Sequence, residues 1–116
     1  MIDLETFYAL VDGDEKEVIS RFNGNEDMVL RFVKKFLNDD SFSILSKAIE
    51  NSDVKTAFRG AHSLKGVAST LGLQNLYSVS YSITELLRAE NLEEAKKAFP
   101  EVEKIYNQTC DYIKEL

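Results

Sequence analysis

An all-α fold is predicted: an antiparallel four-helix bundle in up-down-up-down order, with a short N-terminal helical extension. Three observations predict it. Apolar residues recur at steps of three and four along most of the 116-residue chain. The segments between these runs are short and rich in Asn, Asp, Ser and Gly, so neighbouring helices must reverse direction. No β-type alternation of useful length, repeat or low-complexity linker interrupts them. The chain reads as one domain, residues 1–116, with the extension over 1–24 and the bundle over 25–116.

In the extension, Leu4, Phe7, Tyr8 and Val11 are spaced for a short helix that Asp12-Gly13-Asp14 breaks. Val18, Ile19 and Phe22 predict a second, ended by Asn23-Gly24, so this portion is expected to cap one end of the bundle. Asn25 is a helix N-cap with Glu26 and Asp27 in the first turn, where the helix dipole favours acids. Val29, Phe32, Val33, Phe36 and Leu37 then form one aromatic-rich apolar face. Asn38-Asp39-Asp40-Ser41 closes that helix and caps the next, in which Phe42, Leu45, Ala48 and Ile49 face inward.

The helix from about Asp53 to Leu71 organises the rest. Val54, Ala57, Ala61, Leu64, Ala68 and Leu71 follow steps of three and four and form its buried seam. At about 100° per residue, the mean direction of that seam lies roughly 130° from His62, the only histidine in the chain. His62 should therefore face outward, with Phe58, Arg59, Lys65, Gly66 and Ser69 sharing its face one turn either side. Gly60 and Gly66 each cost about 1 kcal/mol in a helix interior relative to Ala, so both are expected beside the histidine for a reason other than helix stability. Gly66 strips the side chain next to the imidazole, and Lys65 brings an ammonium within reach of whatever the ring carries. A neutral imidazole is a good nucleophile toward an activated phosphoryl group, and the product needs a nearby cation, so the arrangement suits phosphoryl transfer.

Gly72 fits the left-handed position past this helix, with Leu73 folding back. Leu73, Leu76, Ser80, Ile83 and Leu87 form the next seam, ending near Glu90-Asn91. Leu92, Ala95, Phe99, Val102, Tyr106, Thr109, Ile113 and Leu116 continue the alternation to the C-terminus. Pro100 within it implies a kink, or a regular helix that begins there.

Composition excludes several functions. A net charge of −6 and a pI near 4.8 oppose nucleic-acid and anionic-membrane binding, although Lys55, Arg59 and Lys65 against Asp53 leave the histidine helix locally positive. A single cysteine, Cys110, reads as a core residue and fits a reducing compartment. No leader pattern or membrane-spanning run is present, so a cytoplasmic location is expected. Metal sites in bundles need several inward ligands, and one histidine does not supply them. Ser63 points away from His62 on a helix, which argues against a triad.

Ala61-His62-Ser63-Leu64-Lys65-Gly66, followed by Gly72, resembles the signature of histidine phosphotransfer (HPt) domains over roughly Asn25 to Leu116. The resemblance implies a phosphocarrier of two-component phosphorelays that takes a phosphoryl group from a receiver-domain phospho-aspartate and passes it to another receiver. It implies His62 as phosphoacceptor through Nε2, Lys65 on the phosphoryl oxygens and Gly66 as the point of close approach. Arg59, Ser69 and Phe58 follow as a second cation, a hydroxyl donor and an apolar docking contact, with Phe58 reading equally as a partly core residue. Response-regulator receivers, and a hybrid histidine kinase, are the implied partners. Mg²⁺ would sit on the receiver, and the chain itself would need no cofactor, act as a monomer and have no kinase activity, since no Gly-rich phosphate loop is present. Thr84 departs from the family pattern, in which a Glu often stands there; Glu85 is adjacent. A bundle that binds a receiver or kinase without carrying phosphate is the alternative. A third expectation is the phosphoacceptor domain of a larger kinase, although Met1 and the end soon after the last helix suggest a free-standing chain.

Overall fold

Short side chains at the predicted turns start most of the helices. The computed structural model describes residues 1–116 as α1 (Leu4–Leu10), α2 (Glu15–Arg21), α3 (Glu26–Lys35), α4 (Ser41–Glu50), α5 (Val54–Leu71), α6 (Gln74–Arg88) and α7 (Leu92–Lys114), with one 3-10 turn at Phe36–Asn38 and no strand. The side chains of Asp3, Asp14, Asn25, Asp53 and Asn91 each accept the backbone N–H three residues on and so begin α1, α2, α3, α5 and α7. Gly72 ends α5 at φ +71°, and the Leu73 N–H returns to the Ala68 carbonyl at 2.9 Å. A side chain at Gly72 would also collide with Val18 of α2.

Four corners surround the core. α5 packs on α4 and α6, and α7 packs on α6 and α4. α3 also touches both α5 and α7, so α3 and α4 occupy the remaining corner in succession, separated by extended backbone at Asp39. The seam residues Ala57, Ala61, Leu64 and Ala68 of α5 and Leu76, Ile83 and Leu87 of α6 are buried, as are Ala95, Val102 and Ile113 of α7. Phe42 of α4 stacks between Phe99 and Tyr106 of α7, with ring centroids 5.6 and 4.0 Å away. Ser80 lies in the α6 seam with its hydroxyl unpartnered, while Thr84 donates to the Ser80 carbonyl at 2.6 Å.

Three details differ from the periodicity. Of the expected α3 face, Val29, Val33 and Phe36 are buried, but Phe32 and Leu37 are exposed. The helix tightens into the 3-10 turn after Lys35, which changes the angular step and carries Leu37 out of the buried stripe. α6 stops at Arg88, two residues early, because Glu90 takes a left-handed conformation at φ +58°. α7 runs through Pro100, which has no N–H for the Lys96 carbonyl, and both residues lie on the exposed side of the helix.

The extension seals the end of α5. The Tyr8 hydroxyl, buried, donates to the Leu71 carbonyl at 2.7 Å, and Arg21 Nη1 donates to the Ser69 and Thr70 carbonyls at 2.7 and 3.1 Å. These carbonyls lie in the last turn, where a helix C-terminus lacks the N–H groups of a following turn. Phe7, Val11 and Val18 bury their side chains in the same core, and the Ile2 N–H reaches the Glu115 carbonyl at 2.8 Å. Burial pushes the Tyr8 phenol above its ordinary value, which keeps the hydroxyl a donor.

Candidate functional site

The outer face of α5 is polar and bare. His62, Ser63, Gly66, Ser69 and Thr70 are exposed along it, opposite the seam, and Lys65 is half-buried at its edge. The two glycines differ, contrary to the expectation that both serve the histidine. Gly60 is buried, and a Cβ there would stand 2.8 Å from the Leu45 backbone nitrogen and 3.1 Å from its Cα, so this glycine lets α4 approach α5. At Gly66 a Cβ would meet nothing within 4 Å. The surface beside the imidazole is open.

The imidazole has an aromatic backing. Its ring stacks on that of Phe58, one turn earlier, with centroids 5.8 Å apart and planes at 15°. Phe58 is itself half-buried against the core, which limits how the imidazole can turn. The Arg88 guanidinium of α6 lies 4.9 Å from the Phe58 ring centroid, and its Nε donates to Glu85 Oε2 at 2.9 Å. Lys65 Nζ sits 5.6 Å from the ring centroid of Tyr81, also on α6. Two turns forward from Phe58 to Lys65 thus match two turns back from Arg88 to Tyr81, so α5 and α6 run antiparallel. In that register His62 is level with Thr84, buried, and Glu85, exposed. The acid at this height is Glu85, since Thr84 turns inward.

The remaining candidates are spread along the face. Arg59 is exposed and its Nη2 donates to Thr56 Oγ1 at 3.3 Å, toward the start of α5. Ser69 lies two turns beyond His62, about 10 Å along the helix axis, where its carbonyl is held by Arg21. It stands with the extension, not with the imidazole. On the other flank, Phe32, Lys35 and Asn38 face Ser63, Gly66 and Val67 across an open groove of about 640 Å³. Sequence reasoning missed Tyr81 and Arg88, noted Glu85 only as a neighbour of Thr84, and gave Phe32 to the core face of α3. Tyr81, Glu85 and Arg88 recur at helical spacing beside the α6 seam, a visible stripe, but only the α5–α6 register links it to the histidine.

The arrangement offers a solvent-facing nucleophile flanked by cations, without an enclosed cavity for a small substrate. Such a surface is open to a group presented by another macromolecule. No three His, Cys, Asp or Glu side chains converge as a metal site. No helix is long and apolar enough to cross a membrane.

Neither the curated proteins nor the solved structures include a match to the chain. The family model described as Hpt domain matches residues 37–112, more than half of the chain and the whole of α4, α5 and α6. With an exposed histidine on α5 of an all-helical bundle, the chain belongs to the Hpt domain family.

Proposed function

We propose that this chain is a phosphocarrier in a two-component phosphorelay, in which His62 takes a phosphoryl group from a receiver domain's phospho-aspartate and hands it to a second receiver. Hpt domains serve histidine phosphotransfer in phosphorelays and engage receivers and kinases. One observation carries the proposal for this chain: an exposed imidazole stands one turn from both an ammonium and a helix position with nothing above it.

In the forward step the Nε2 lone pair forms the N–P bond while the aspartyl O–P bond breaks and its electron pair returns to the carboxylate. Nδ1 keeps its proton. The second transfer reverses these events on another aspartate. Lys65 offsets charge on the phosphoryl oxygens, Arg59 adds a second cation, and Phe58 holds the ring and lends an apolar edge to docking. Gly66 lets the receiver come close, and Ser69 meets its rim. Mg²⁺ belongs to the receiver, and the chain acts as a monomer in the cytoplasm without kinase activity of its own.

Incubation with phosphorylated receivers tests this. Wild type should gain an acid-labile, base-stable phosphate, and His62→Gln should gain none while folding normally by circular dichroism. Receiver binding with no phosphate on wild type would instead establish the interaction-only alternative. Lys65→Ala should shorten the phosphohistidine lifetime on the order of tenfold, the weight of one charge-assisted hydrogen bond.

A further inference from the structure

Tyr81 is the most exposed large aromatic of the bundle outside the termini, with 47% of its surface in solvent. The α6 seam does not need it, because Leu76, Ile83 and Leu87 fill the core and Tyr81 follows the buried Ser80 by one position, turned off the seam. Its hydroxyl makes no hydrogen bond that would explain a tyrosine there. What its ring does touch is Lys65, whose ammonium lies 5.6 Å from the centroid, and Tyr77, whose ring centroid is 6.1 Å away and which is half-buried. Lysine has a long, flexible stem, and an ammonium on an exposed helix face ordinarily samples many rotamers in water. Here Lys65 is half-buried, its stem laid along the α5–α6 crevice toward the ring.

We propose that Tyr81 is a positioning residue for phosphotransfer: its ring face restrains the Lys65 ammonium on the α6 side of the site, one helical turn from His62, so that the cation is in place when the phosphoryl group arrives. This rests on the phosphocarrier function proposed above. Tyr81 does not touch the reacting atoms and acts only through Lys65. A cation–π contact at an exposed site is strong enough to bias the rotamers of a lysine, and an ammonium resting on a ring face keeps N–H donors free for a phosphoryl oxygen. The effect on a phosphohistidine should be about two- to five-fold, the factor that such a contact supports.

The test charges the intact protein with phosphoramidate, a small donor whose N–P bond breaks as the His62 N–P bond forms and ammonia leaves, so no receiver is required. Tyr81→Leu should shorten the phosphohistidine lifetime about two- to five-fold, and Tyr81→Phe, which keeps the ring face, should restore it. Lys65→Ala/Tyr81→Leu should decay no faster than Lys65→Ala alone. In the uncharged protein, proton NMR should show the Lys65 ε-methylene shifted upfield by the ring, a shift lost in Tyr81→Leu. An unchanged or longer lifetime in Tyr81→Leu, or additive losses in the double variant, would overturn the positioning role while leaving the carrier intact. Failure of wild type to take up phosphate at His62, with the upfield shift present, would instead overturn the carrier function and this inference with it.

Discussion

Gly60 and Gly66 lie less than two turns apart on α5, yet one is enclosed and the other faces nothing. At Gly60 the missing Cβ is occupied by the backbone of Leu45, and the gain is close packing of α4 on α5. At Gly66 the space is left vacant by the fold, and no intramolecular contact repays the lost helix propensity. The difference separates a glycine whose missing side chain makes room for a packed helix from one whose missing side chain leaves the surface open. It also divides α5 into an inner face, which the bundle uses fully, and an outer face, which the bundle leaves uncovered.

Substitution of the two glycines is the most direct way to break this contrast. Gly60→Ala should lower stability by about 1 to 3 kcal/mol despite the better propensity of alanine, since Leu45 offers backbone and not a flexible side-chain end. A rise in thermal midpoint would refute the packing role. Tyr8→Phe should cost about 1 to 3 kcal/mol by leaving the Leu71 carbonyl buried and unpaired, without altering phosphate uptake at His62. Thermal unfolding and acid-lability assays on the same preparation would separate the two effects. Gly66→Ala should raise stability by up to about 1 kcal/mol, and Gly66→Leu should keep the fold while weakening receiver binding. Undiminished transfer in Gly66→Leu would show that no partner comes close there.

The smallest effect concerns the start of α5. The Asp53 carboxyl is held below its ordinary value of 3.8, first by the Thr56 side-chain hydroxyl and then by the Thr56 backbone N–H. A depressed carboxylate stabilises the fold above its ordinary pKa and loses that contribution as pH falls through the depressed one. The stability gap between wild type and Asp53→Ala should therefore be widest near neutral pH and close on acidification. Urea midpoints across that range would read it, and a gap independent of pH would assign the cap no charge component.

Elements governed by neighbours in sequence were legible in advance. The caps at Asn25 and Asp53, the stop at Gly72, the α5 and α6 seams and the outward direction of His62 all follow from spacing within one helix. Leu37 was misplaced because a 3-10 turn alters the angular step that periodicity assumes, whereas Phe32, within regular α3, is exposed because the neighbouring helices do not cover that flank. Gly60 was misassigned for a different reason: a glycine looks alike in sequence whether its space is taken or free.

The chain's own residue pattern was thus enough to decide the helical class, the buried stripe of α5 and the candidacy of His62, because these depend on angles fixed by one helix. Tertiary packing alone decided that Tyr81 meets Lys65, that Arg88 covers Phe58, that α3 and α4 share a corner and that Tyr8 and Arg21 close the end of α5. Those contacts join residues from separate helices. Their register is set by how whole side-chain layers interlock, which no single helix's periodicity encodes.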